Sequence, residues 1–366
     1  MKQQALSLAL ATLFAACASS GPAAESTNGA RPTNSDTSAR AAPAPTREFE
    51  IKDDRAFLGG AEVDLWGVRC GNALQSPSVT ERHVRALDNM VLHGINLIGV
   101  YVQGSNGGWP DPEAGLDGYF RDGRLKPAVA ERLEWLVREC DKRGMVVMVG
   151  LFSPRKDQNL EGEDAVKRAI EETARFLVDR GLKNVFVDLM HEYDHTERAD
   201  LPILREPGGA EKKARMTRWF HAIAPDIEVG VCPYEKSVTK DEYLGMDVRI
   251  IQKSMAIPER GFVVNVETSK QDSYENDGVF SDGGKEHVFN DCRRFLEAKN
   301  AVMLYHAAFI QGIGNFSGTA PHPELGGMGT SPSDRGVRFY YEWVRDHVGR
   351  WSYPAHVAEN SGKVKS

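Results

Sequence analysis

Cysteine, positive charge and long apolar runs are all scarce in this chain, and each scarcity excludes something. Five cysteines stand in 366 residues. Cys17 falls in the leader, and the remaining Cys70, Cys140, Cys232 and Cys292 form no CxxC pair and no zinc-like grouping. An even number in an exported chain permits disulfides in any of three pairings. Cys140 and Cys292 lie on the apolar faces of helical segments, so buried free thiols are the expected state. Lys and Arg number 45 against 52 Asp and Glu, a net charge of -7. The basic residues sit beside acidic ones on helix-like stretches, which reads as solvated surface and excludes a nucleic-acid partner. Beyond the leader, no apolar stretch is long enough to span a bilayer.

The N-terminus reads as a targeting segment rather than as fold. Lys2 precedes a short apolar run, Ala5 to Ala16, too short for a membrane span. It ends in Phe14-Ala15-Ala16-Cys17, which resembles a bacterial lipoprotein signal with Leu13 one place early. That resemblance implies lipidation of Cys17 and a place on the cell surface or outer membrane. The alternative is an ordinary signal peptide cleaved near Ala16 or Ala24, giving a periplasmic or secreted protein. Residues 18–46 are rich in Ala, Ser, Thr, Pro, Gly and Asn, and lack the large apolar residues that offset ordering entropy. They are expected to be a disordered tether, with order beginning near Phe49 in a hairpin that turns at Gly59-Gly60.

A regular alternation follows. Unbroken apolar runs occur at Val63–Arg69, Ile95–Val102, Met145–Phe152, Val185–Met190, Ile227–Cys232, Val248–Gln252, Phe262–Val266 and Ala301–Tyr305. Such runs suit strands buried on both faces. Helix-period segments lie between them: Thr80–His93 with an N-cap at Ser78 or Thr80, Pro127–Arg143, Gly162–Arg180, Glu211–Ala224, Thr239–Gly245, Lys285–Lys299 and Asp334–Val348. Three of them stop at a glycine shortly before a strand, the punctuation of a βα repeat. Eight units specify a closed (β/α)8 barrel, an α/β fold in one domain over residues 47–352, with a tail at 353–366. Only Ser254–Gly261 separates runs six and seven, leaving room for a reduced sixth helix of one turn. An open doubly wound sheet would want a Gly-rich phosphate loop after its first strand, and Arg69-Cys70-Gly71-Asn72-Ala73 lacks it.

In such a barrel the functional groups collect at the C-terminal ends of the strands. Those ends carry Arg69 and Asn72, Tyr101 and Gln103 with Trp109 beyond, His191-Glu192-Tyr193-Asp194-His195, Tyr234-Glu235, Lys253, Glu267 and Tyr305-His306. Glu192 and Glu267 each end a strongly apolar run, where desolvating a carboxylate is costly. Two carboxylates facing one cleft are the equipment for glycosidic cleavage. Arg69, Tyr101, Trp109, His191, Tyr234 and His306 are the candidate substrate-binding groups. Trp109, Tyr101, Tyr234 and Phe309 have rings that suit either sugar stacking or packing.

The segment Val185-Phe186-Val187-Asp188-Leu189-Met190-His191-Glu192-Tyr193 resembles the strand-four acid/base motif of cellulase-like retaining glycoside hydrolases, the family 5-like members of clan A. Phe262-Val263-Val264-Asn265-Val266-Glu267 is similar to their strand-seven nucleophile motif. Leu65-Trp66-Gly67-Val68-Arg69 with Leu92-His93-Gly94-Ile95-Asn96 resembles their opening, and the likeness runs over residues 49–350. It implies a retaining glycosidase acting on a poly- or oligosaccharide, with Glu192 as acid/base, Glu267 as nucleophile and no cofactor. The chain departs from that pattern at His191, where Asn is usual, near Gly99, where Arg is common, and at Tyr305-His306, where a Trp platform is common. The departures keep a non-catalytic glycan-binding lipoprotein open as an alternative. His191, Asp194 and His195 beside Glu192 leave a third, metal-dependent hydrolysis, although no second cluster completes a metal site.

Overall fold

Parallel strands buried on both faces need no polar alternation, and the apolar runs form them. In the computed structural model the described residues are 43–104, 116–193, 195, 201–205, 210–234, 246–267, 278–311 and 326–354. All eight runs become barrel strands: β4 (Gly67–Arg69), β5 (Leu97–Tyr101), β6 (Val146–Phe152), β7 (Val185–Met190), β8 (Val229–Gly230), β9 (Val248–Ile251), β10 (Phe262–Asn265) and β11 (Ala301–Tyr305). They close in the order β10-β11-β4-β5-β6-β7-β8-β9. Parallel register runs Arg69↔Gly99, Gly99↔Met148 and Val264↔Val302. Closure removes the unpaired strand edges that an open sheet would expose. Every residue of β5, β6 and β7 is buried, which is why these runs carry no polar alternation.

The helices lie close to their expected places. They are α1 (Pro77–Leu92), α2 (Pro127–Lys142), α3 (Glu163–Asp179), α4 (Pro202–Arg205), α5 (Ala210–His221), α6 (Asp282–Glu297) and α7 (Arg338–His347). The first starts earlier than expected. Ser76, not Ser78 or Thr80, caps it by accepting from the Val79 N–H at 3.3 Å, with Pro77 in the first turn. Thr80 instead donates its hydroxyl to the Ala73 carbonyl at 2.7 Å. Gly94 and Gly144 follow α1 and α2 at φ +83° and +65°, the left-handed stop that ends a helix. Between β9 and β10 even the single expected turn of helix is missing. The Asn300 side chain holds that link, donating to the carbonyls of Pro258 at 3.1 Å and Gly261 at 2.8 Å.

The barrel floor is a three-stranded meander, not a simple hairpin: β1 (Phe49–Lys52), β2 (Arg55–Leu58) and β3 (Ala61–Glu62). Gly59-Gly60 makes its second turn, and Asp53-Asp54 makes the first at φ +50° and +62°. Positive φ at both central residues matches the twist of a tight hairpin, and Asp tolerates it. Phe49 drives the meander into the barrel, with its ring 5.4 Å from Phe186 and 6.0 Å from Phe262. Packing begins a little before Phe49. The Thr46 hydroxyl accepts from the N–H groups of Lys183 at 2.6 Å and Asn184 at 3.1 Å. It also persists past residue 352, because the Tyr353 hydroxyl donates to the Leu58 carbonyl at 2.6 Å. Cys70, Cys140, Cys232 and Cys292 are buried free thiols, as expected. Cys17, Trp109, Asp194, Glu235 and the expected helix at 239–245 lie outside the described residues. Among the described residues, no helix is long and apolar enough to cross a membrane.

Candidate active site

The barrel order brings side chains from distant parts of the sequence to one mouth. Glu267 just after β10, His306 just after β11 and Arg69 at the end of β4 come from three consecutive strands. Glu192 follows β7, three strands from β10 on the side of β8 and β9. All four, with His191, are at most 5% exposed. Five charged or titratable groups at that depth require partners.

Glu267 has them. Arg69 Nη1 lies 3.1 Å from its Oε2, and His191 Nε2 lies 3.4 Å from the same oxygen. Burial pushes the Glu267 carboxyl up, but His306, His191 and Arg69 together outweigh it and hold the group well below the usual carboxylate range. His306 is itself driven well below its ordinary value by burial and by Arg69, against the pull of Glu267. Burial thus disfavours charge on His306, and Arg69 is the permanent positive charge facing Glu267. The result is a buried, ionised carboxylate.

Glu192 is held differently. Its backbone is left-handed at φ +57°, a conformation that costs a residue with a Cβ about 1–2 kcal/mol. The His195 N–H donates to the Glu192 carbonyl at 3.0 Å, and the Tyr193 N–H donates to that of Cys232 at 3.1 Å. A carboxylate oxygen of Glu192, one of Glu267 and a ring nitrogen of His191 all lie within 4.8 Å of one another. Strain of this kind persists only where surrounding contacts over-determine it, and such positions cluster at functional sites.

Beneath the two glutamates runs a buried support. The Tyr101 hydroxyl donates to Asp188 Oδ2 at 3.3 Å, and the Cys232 N–H donates to Asp188 Oδ1 at 3.2 Å. Burial raises Asp188 to about 6, against the pull of His191, the Cys232 N–H, Tyr101 and Arg69. The Tyr101 ring lies 5.2 Å from the Arg69 guanidinium carbon and 5.7 Å edge-on from His191. A Cβ at Gly150 would collide with that ring. Tyr101, expected as a substrate contact, is thus a 1%-exposed underlay of Arg69 and His191. Phe309 and Gln103 are likewise buried, and Gln103 serves as a clip, donating to the Lys156 carbonyl at 3.1 Å.

Tyr234 stands at the rim, only partly buried. Its ring stacks on His195 at 3.9 Å, and the Lys253 ammonium lies 4.2 Å from its centroid. Of the candidates named from the sequence, Arg69, His191, Glu192, Glu267 and His306 come together in space. Cys232, Gln252 and Asn265 were not among those candidates, although they carry the same signal: a polar residue at the end of an apolar run. Among the described residues the group with metal-ligand spacing is His191, Glu192 and Glu267; of the set suggested by the sequence, Asp194 lies outside them. The Arg69 guanidinium pairs with Glu267 Oε2 and opposes a cation there.

No protein-family model matches the chain, and no curated protein matches it in sequence. Solved structures do match. One is a glycoside hydrolase family 5 protein from Bacteroides vulgatus ATCC 8482, with a TM-score of 0.56 and 12% identity over 82% of this chain and 72% of that one. Another, described as a glycoside hydrolase, has a TM-score of 0.55 and 12% identity over 82% and 74%. At such identities the likeness establishes the (β/α)8 fold.

Proposed function

We propose that the protein is a retaining glycoside hydrolase that cleaves an O-glycosidic bond by double displacement. The observation that carries this reading is the pair of buried carboxylates just past strands β7 and β10, with oxygens within 4.8 Å. Retaining enzymes hold their two carboxyl groups about 5–5.5 Å apart, whereas inverting ones leave about 6.5–9.5 Å for a water. Glu267, kept ionised by Arg69, attacks the anomeric carbon and forms a glycosyl-enzyme. Glu192 gives its proton to the leaving oxygen, then takes one from the water that releases the sugar. His191 donates through Nε2 to Glu267, fixing the attacking oxygen and supporting its charge. The matched structures, described as glycoside hydrolases, support glycoside hydrolysis in general.

The test is azide rescue. Glu192→Ala should lose little rate on aryl glycosides with good leaving groups, which need little protonation, and azide should partly restore the rest. The glycosyl azide should keep the substrate's anomeric configuration. An inverted azide product would refute the assignment. The reading also places the enzyme outside the cytoplasm, tethered through a lipid on Cys17 in the segment Phe14-Ala15-Ala16-Cys17. Mass spectrometry of the mature N-terminus checks this, and an unmodified start downstream of Cys17 would overturn it.

A further inference from the structure

We infer that the rim between Glu192 and Glu267 binds an anionic substituent of the substrate, a uronate carboxylate or a sulfate ester, and that Lys253 is the residue that binds it. The sugar nature of the ligand rests on the proposed hydrolase reading; the anion site rests on its own geometry. Around the barrel the strands run β7, β8, β9, β10. Their tips present Glu192 with His195, then Tyr234, then Lys253, then Glu267. A sugar whose anomeric carbon lies between the two glutamates has this arc beside it.

Lys253 is built into place. Its N–H donates to the Glu267 carbonyl at 2.5 Å. Its own carbonyl accepts from Asn265 Nδ2 at 3.0 Å, and Asn265 Oδ1 accepts from the Glu267 N–H at 3.0 Å. One amide side chain thus ties the lysine backbone to that of Glu267. The residue is held at φ +53°, a conformation a side chain rarely adopts without support. The aim is fixed as well. Gln252 Nε2 donates to the carbonyls of Pro233, at 2.7 Å, and Tyr234, which sets the tyrosine. The Tyr234 ring, backed by His195, then carries the ammonium on its π system.

Among the described residues no carboxylate lies within 4.0 Å of Lys253 Nζ, whereas Arg69 pairs with Glu267, Arg138 with Glu134 and Arg143 with Asp88. An ammonium has three donors, and a ring face satisfies them poorly. A partly buried cation, aimed by its neighbours and with no carboxylate of the described residues in ion-pair range, is complementary to an oxyanion brought by the ligand. A neutral hydroxyl would accept a hydrogen bond there but would gain no charge attraction.

The experiment measures binding to the full chain carrying Glu192→Gln, which should cleave unactivated oligosaccharides too slowly to disturb binding, alongside turnover by the unmodified protein. The probes are matched pairs: uronate-containing oligosaccharides against the same chains after carboxyl reduction, and sulfated oligosaccharides against their desulfated forms. In at least one pair the anionic member should bind about tenfold tighter or more. Its advantage should shrink with added salt, vanish with Lys253→Met and return with Lys253→Arg. The pair that shows it identifies the anion as carboxylate or sulfate. No advantage in any pair, including no binding at all, overturns the inference. So does an advantage that survives Lys253→Met, because the lysine then only braces Tyr234. Anion preference in a protein that hydrolyses nothing would sink the hydrolase reading and leave this one standing. Turnover of neutral glycans without anion preference would do the reverse.

Discussion

The floor and the mouth of this barrel are built from the same eight strands and obey opposite rules. At the floor, Phe49, Phe186 and Phe262 meet ring to ring. Charged groups nearby stay outside in surface pairs such as Arg55 with Glu62 and Asp64. At the mouth, Arg69, Asp188, His191, Glu192, Glu267 and His306 are all buried, and Glu192 and Lys253 sit in left-handed backbone. Apolar burial is the cheaper way to stabilise a strand end. A mouth that gives it up does so for a chemical purpose, and the floor supplies the stability that permits it.

The contrast can be broken by exchanging which end is damaged. Glu267→Gln keeps the size of the side chain and an oxygen for Arg69 to donate to. Turnover should fall by roughly 10³-fold or more while the fold stays within about 2 kcal/mol. Phe49→Ala should do the opposite, losing about 3–5 kcal/mol in urea denaturation while the folded fraction keeps its kcat. A Phe49 variant that is folded but as inactive as the Glu267 variant would mean the two ends are not separable.

A smaller effect sharpens the comparison. Asp188 is a carboxyl whose folded value, about 6, lies above its ordinary 3.8. The stability it contributes is complete below about pH 4 and is lost as pH rises through about 6. Asp188→Asn does not titrate and escapes that loss. Its stability relative to the unmodified protein should therefore rise between about pH 4 and 6, by at most about 3 kcal/mol. A difference flat across that window would show that Asp188 is not held as a buried acid.

The floor and mouth also differ in how well the sequence announced them. Strands such as Val185–Met190 were legible to the residue, because burial on both faces leaves an unbroken apolar run. Val63–Arg69 was read too long: only Gly67–Arg69 pairs, while Val63 and Leu65 turn into the packing under the barrel. Ile227–Cys232 shortened to Val229–Gly230 in the same way. The Ser76-Pro77 cap was visible but was passed over for the hydroxyls that follow it. At the mouth, Glu192 and Glu267 stood out because a carboxylate ending an apolar run is costly. The partners of Glu267 were less legible. Arg69 is 198 positions away and meets it only because closure places β4 one strand beyond β11. The inward turn of Tyr101 depends on Gly150, on a neighbouring strand, which no local pattern reveals.

Trapping the covalent intermediate separates the reading from its rivals. The protein would be incubated with a panel of 2-deoxy-2-fluoro glycosides bearing good leaving groups, then digested and its peptides sequenced by mass spectrometry. The expected result is one fluoroglycosyl group on the peptide Phe262-Val263-Val264-Asn265-Val266-Glu267, located on Glu267 and absent from the Glu267→Gln protein. A label on Glu192, or active enzyme that releases product of inverted configuration with no label at all, would contradict it.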